Sequence, residues 1–270
     1  MKKSLVILLI YLTFILVLNG ITNLLTLPSS PLGNPSVTSC SYLGYAIFLI
    51  NLLVIPVIYF ALQMGQTKPL KGCFKMPTIG IAVLSAAGLI LVGFGICVGS
   101  ELINVPNIAQ MDATEIIKCP CGIIAIGFVS PVASELAFRR GIMGSLLETE
   151  RWRKYALVFS SVCFAILHIS PLQVVISFVL SLFLGWLYLR TRSLVLPLLC
   201  HIIFNSASLA QLNIYGIGTR YPDILGSYTN SVIVFVVTVI LLVPTLILLN
   251  KKLPHYVAPK ENANQINNKP

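Results

Sequence analysis

Charge is scarce in this chain, and acid is scarcest: only 10% of the 270 residues are Asp, Glu, Lys or Arg, and 8 carboxylates stand against 18 Lys and Arg. A soluble domain needs a charged surface, and its core is one; here 57% of residues are hydrophobic and the apolar runs are too long and too many for a single soluble core. No repeat is present, so solenoids and propellers are excluded. The seven cysteines are scattered. Cys119-Pro120-Cys121, the one close pair, lacks the two-residue spacer of redox and zinc motifs and reads as structural or incidental. No His-Glu-x-x-His helix occurs either. The net charge of +10 does not point to nucleic acid, because the cations sit in short loops beside helix ends and not on one basic face.

What the chain does have is apolar sequence in lengths that cross a bilayer. A span needs about 20 residues to cover about 30 Å of hydrocarbon. Eight such stretches are expected, near 5–27, 42–64, 79–102, 122–147, 155–168, 172–189, 194–212 and 231–249. The expected fold is all-α: a polytopic bundle in one transmembrane domain, 1–252, followed by a polar, disordered cytoplasmic tail, 253–270. Lys2 and Lys3 before an apolar run resemble a signal peptide. No small-residue cleavage site follows, so a retained first helix is expected.

Cations are held on the cytoplasmic side during insertion. With Lys2 and Lys3 inside, the alternate turns carry Lys68, Lys71 and Lys75, then Arg151, Arg153 and Lys154, then Arg190 and Arg192, then Lys251, Lys252 and Lys260. The opposite loops hold only Lys118 and Arg220 against Asp112, Glu115 and Asp223. The reading is an integral protein of a bacterial-type plasma membrane with both termini cytoplasmic.

Three polar intrusions interrupt the late spans. Ser134 and Glu135 precede Arg139 in one, Phe164 precedes His168 in the next, and His201 precedes Asn205 in another. Ionisable groups in hydrocarbon cost several kcal/mol unless paired or solvated, so each is a functional candidate. Residues four apart share a helix face, which pairs Glu135 with Arg139 and sets His201 beside Asn205. At a rise of about 1.5 Å per residue, Glu135 and His168 lie roughly 20 Å from the cationic loops, and His201 and Asn205 roughly 12 to 18 Å. The groups can meet. Pro131 and Pro197, just ahead of motif residues, are expected to bend their helices there. Arg140 is expected to snorkel to the interface.

The order Glu-x-x-x-Arg, Phe-x-x-x-His, His-x-x-x-Asn on successive late spans resembles the CPBP family of CAAX prenyl endopeptidases and bacteriocin-processing or Abi-type immunity proteins. The resemblance covers about 127–210 within a core of about 122–212. It implies a CPBP-type helical bundle and peptide-bond hydrolysis by a water activated in a membrane cavity, on a peptide or membrane-protein substrate. It also implies that Glu135, His168, His201 and Asn205 are the catalytic set, with Arg139 and Phe164 as structural support. The family's first motif usually begins Glu-Glu, and the first of these maps onto Ser134. By resemblance that Glu and His168 would activate water, His201 and Asn205 would hold the oxyanion, and Glu135 would orient Arg139.

A serine hydroxyl cannot accept a proton near neutrality, so Ser134 leaves the position of the base vacated. Three readings stay open: a protease with His168 as its base, a pseudoprotease that binds a membrane peptide or protein in a regulatory or immunity role, and a transporter relaying protons through buried His and Glu. No paired broken helices in two matching halves support the last. If a zinc ion is used, His168, His201 and Glu135 are its available ligands, but nothing in the sequence requires one.

Overall fold

A computed structural model of the chain describes residues 6–7, 9–11, 13, 48–60, 62, 74–103, 119–168, 170–216 and 219–254. Most of the first expected span, Lys2, Lys3, Lys68, Lys71, Lys118, Asp112, Glu115, Cys40, Cys73 and the tail after 254 lie outside the described residues. Among those described there is no strand. The helices are α1 (Phe48–Phe60), α2 (Ile79–Leu102), α3 (Pro120–Leu147), α4 (Glu150–Arg153), α5 (Ala156–Ala165), α6 (Pro171–Thr191), α7 (Val195–Tyr215), α8 (Tyr221–Leu225) and α9 (Tyr228–Lys252). Five of them, α2, α3, α6, α7 and α9, are long and apolar enough to cross a membrane, and α1 and α5 are shorter apolar helices. The protein is an all-α, polytopic membrane protein.

Hydrophobic burial does not drive helices together in lipid; close packing through small residues does. α2 provides this contact. Gly88 lies against Phe183 of α6, Gly93 against Phe204 of α7 and Gly99 against Phe235 of α9, so each aromatic ring rests where a β-carbon would otherwise stand. Two apolar clusters result. One gathers Ile58, Leu62, Phe138, Ile142, Met143 and Tyr188, the other Leu89, Phe183, Leu184, Leu187, Leu196 and Leu249.

α3 is not a uniform helix. Ala125–Val129 and Leu136–Met143 are wound as π-helix, with Ser130–Glu135 as ordinary α-helix between them. Pro131 supplies a cause, since a proline inside a helix lacks an N–H and its ring collides with the carbonyl four residues back. Widening the turn relieves that collision, in the way that π-turns cluster at functional sites. Pro197 behaves otherwise than expected. It stands third in α7, in the first turn, where the amide has no intrahelical partner to lose and no bend is required.

α5 is shorter than its expected span because the chain tightens after Ala165. Leu167 N donates to Phe164 O at 3.4 Å and His168 N to Ala165 O at 3.1 Å, three-residue bonds that end the helix. His168 therefore sits just beyond the helix end. Arg140 also departs from expectation: it is 6% exposed and does not snorkel. Its Nη1 lies beside Gly144, 3.7 Å from where a β-carbon would stand, with Tyr188 Oη 3.8 Å from the same point.

The bundle has two unlike ends. Arg151, Arg153 and Lys154 follow α3, Arg190 and Arg192 close α6, and Lys251 and Lys252 close α9, all at one end. The start of α3, the ends of α2 and α7, and α8 lie at the other. Arg190 binds the first end together, donating to Asn250 Oδ1 and to the carbonyls of Asn250, Leu253 and Pro254 at the close of α9.

Candidate active site

α7 packs on α3 along both its Ala125–Val129 and Ser130–Glu135 segments, and α5 packs on Leu136–Met143. These contacts set the three intrusions face to face. Glu135, 1% exposed, takes Arg139 Nε at 3.0 Å through Oε2, the one-turn pairing the sequence implies. Its Oε1 meets His201 Nδ1 at 2.8 Å. A carboxylate can only accept, so the proton of this bond belongs to His201 Nδ1 and the neutral ring keeps Nε2 as its acceptor atom.

Asn205, one turn beyond His201, donates from Nδ2 to Ile126 O at 2.9 Å. The winding of α3 explains why that carbonyl is available. Ser130 N is bonded five residues back to Ala125 O; in the same register Ile126 O would pair with residue 131, which is proline and has no N–H. Asn205 fills the place of the missing donor.

Phe164 stands between the two imidazoles. Its ring centroid is 5.4 Å from that of His168 and 5.9 Å from that of His201, and the Arg139 guanidinium carbon lies 5.5 Å from it. Phe138 meets Phe164 edge-on at 5.2 Å, and the Phe138 carbonyl, within a π-segment, accepts from Ser160 Oγ at 2.9 Å. Phe164 thus fixes the spacing of both histidines. Ser134 is 3% exposed, and its Oγ donates to Pro131 O at 3.1 Å.

A cavity of about 500 Å³ is lined by Ser134, Phe164, His168, His201 and Asn205. Glu135 and Arg139 stand behind this wall, in contact with its His201 and Phe164. All the residues singled out from sequence therefore gather in one place, in two layers. His168, His201 and Glu135 do not form a metal ligand set: the two Glu135 oxygens are engaged by His201 and Arg139, and among the described residues no three His, Cys, Asp or Glu side chains cluster to hold a cation. The Cys119 and Cys121 thiols are free.

Sequence reasoning missed part of the cavity wall. Tyr11 lines it from the N-terminal helical segment, edge-on to Phe138 at 5.3 Å. Glu101, Gln211 and Tyr221 line it at the end away from the cationic loops. Glu101 carried a faint signal, as a carboxylate in the last turn of an otherwise uncharged span.

The family model described as Type II CAAX prenyl endopeptidase Rce1-like matches residues 117–207. The Bacillus subtilis (strain 168) protein named "Putative membrane peptidase YdiL" is 30% identical over 87 residues, 32% of this chain and 35% of that protein. The match thus spans about a third of that relative's length. No solved structure matches the chain. The residues matched by the family model, 117–207, include Ser134, Phe164, His168, His201 and Asn205 of the cavity wall.

Proposed function

We propose that this chain, which belongs to the CPBP family through residues 117–207, hydrolyses a peptide bond of a membrane-bound peptide or protein inside the cavity between α3, α5 and α7. The observation that carries this reading is the contact between Glu135 Oε1 and His201 Nδ1 at 2.8 Å. Glu135 holds the His201 ring in one tautomer and places a negative charge beside the imidazolium that forms on proton uptake, the logic of an acid-oriented histidine base. His201 Nε2 takes the proton of the attacking water.

The oxyanion that forms on the scissile carbonyl needs donors in a dry, fixed site. Asn205 has a second Nδ2 hydrogen beyond the one given to Ile126 O, and His168, on the far side of Phe164, offers an imidazole N–H. Phe164 and the Glu135–Arg139 pair keep these groups from moving apart. With the cationic loops on the cytoplasmic side, Glu101 and Tyr221 stand at the opposite end of the cavity.

The test is cleavage of a candidate membrane peptide by the full chain in liposomes. His168→Ala should lower the rate by about 10²–10³-fold, the usual worth of an oxyanion donor; undiminished cleavage would remove His168 from the mechanism.

One observation favours a second reading. Ser134 occupies the position of the family's first Glu, and its hydroxyl is turned onto the Pro131 carbonyl, so that stretch of wall offers no proton acceptor. A cavity of this kind would hold a peptide without cutting it. Ser134→Glu separates the two: a native chain that cleaves, with a rate raised by the new carboxylate, supports the protease, whereas cleavage in the restored variant alone makes the native chain a binding protein.

A further inference from the structure

We propose that Glu101 is a specificity-determining subsite for a cationic residue of the substrate, about four to five residues from the bond that is cut, on the side of the peptide that leads toward the face opposite the cationic loops. The inference rests on the hydrolytic reading above and goes beyond it by naming the chemistry of the substrate's flank.

The cavity does not end at the histidines. One face of α7 lines it continuously, from His201 through Asn205, Ser208 and Gln211, which stand three or four residues apart and so share a face. Gln173 and Ile176 of α6 line it as well. At the far end Gln211 Nε2 donates to Tyr221 Oη at 2.8 Å, Tyr221 Oη lies 3.2 Å from Gln211 Oε1, and the Tyr221 backbone N–H donates to Glu101 Oε2 at 2.6 Å. Phe94 closes against the Tyr221 ring edge-on at 5.3 Å. Three separate elements, α2, α7 and α8, converge to hold one carboxylate at the cavity wall.

Charge supplies the second part of the argument. Arg220 and Asp223 act on Glu101 with opposite signs and so offset one another in part. Elsewhere the chain carries a net excess of cations. A carboxylate at the wall of a partly enclosed cavity is stabilised by a cation brought to it, and a lysine or arginine side chain of a peptide is the cation a peptide channel receives.

Distance sets the register. Gln211 lies ten residues after His201 on α7, about 15 Å along the axis. An extended peptide advances about 3.3 Å per residue, which converts that span to about four or five residues.

The experiment uses the full chain in nanodiscs and a series of fluorescent, apolar twelve-residue peptides in which a single lysine is moved along the sequence, with an all-neutral peptide as reference. Binding is read by anisotropy and cutting by mass spectrometry. The expected result is tightest binding at one lysine position, four or five residues from the cut. Glu101→Gln should weaken that peptide by about tenfold and leave the neutral peptide unchanged. Glutamine still accepts the Tyr221 N–H, so this variant removes charge and little else, and unchanged binding of the neutral peptide reports an intact cavity. Equal binding at every lysine position, equal loss for both peptides, or no binding of any peptide would overturn the subsite. Position-dependent binding without cutting would uphold it and overturn hydrolysis instead.

Discussion

Glu135 Oε1 and His201 Nδ1 stand 2.8 Å apart although 66 residues of chain separate them, and the second oxygen of the same carboxylate meets Arg139 Nε at 3.0 Å. One acid thus serves two partners with different tasks. Toward Arg139 it neutralises a charge that is 1% exposed; toward His201 it fixes a proton. Breaking a buried pair by removing one member leaves the other charge uncompensated and costs about 3–5 kcal/mol. Glu135→Ala should therefore lower stability by about that amount as well as abolish cleavage. Paired replacement of Glu135 and Arg139 by leucine and methionine should recover much of the stability and none of the activity. Thermal unfolding in detergent, followed alongside peptide cleavage, checks both.

In the proposed mechanism Asn205 makes a structural and a chemical bond from one amide group. Asn205→Ala leaves the part-buried Ile126 carbonyl without its donor, a cost toward the low end of about 1–3 kcal/mol, and in the proposed mechanism removes an oxyanion donor, which typically costs about 10²–10³-fold in kcat. The expected kinetic signature is a fall in kcat with KM little changed, because the interaction belongs to the transition state. A rise in KM alone would assign Asn205 to ground-state binding.

The sequence reading and the structure agree where the signal is local. Span 79–102 is reproduced as Ile79–Leu102 because an uninterrupted apolar run admits few alternatives, and the Glu135–Arg139 pair follows from helical spacing. The His201–Glu135 contact was not legible, since it depends on how α7 leans on the π-wound part of α3. Arg140 was misread for a related reason: its burial, at 6% exposed, depends on tertiary packing that helical spacing does not reveal. Glu101 was overlooked because a carboxylate in the last turn of a span looks interfacial until Tyr221, 120 residues later, is placed on it.

Gly93 offers a test of packing at a distance from the chemistry. A β-carbon there would overlap the Phe204 ring, and Phe204 immediately precedes Asn205. Overpacking of this kind costs about 1–3 kcal/mol. Gly93→Ala should lower the melting temperature and also reduce cleavage, since relief requires α7 to move away from α2 and carry His201 and Asn205 with it. Gly93→Ala combined with Phe204→Leu should restore both.

The proposed orientation, with the cationic end of the bundle in the cytoplasm, is tested by labelling its two ends. Thr219→Cys, at the end near Tyr221, should react with a membrane-impermeant maleimide added outside intact cells after native thiols are blocked. Arg151→Cys should react only once the cells are opened. The reverse pattern would put the Glu101–Tyr221 end of the cavity in the cytoplasm.

The most direct measurement is cleavage of a membrane peptide by the wild-type chain and by His201→Ala in water enriched in oxygen-18, with the products weighed by mass spectrometry. Wild-type protein should release a fragment whose new carboxylate carries one heavy oxygen, and His201→Ala should release none above background. Equal labelled product from both would contradict a base seated on Glu135.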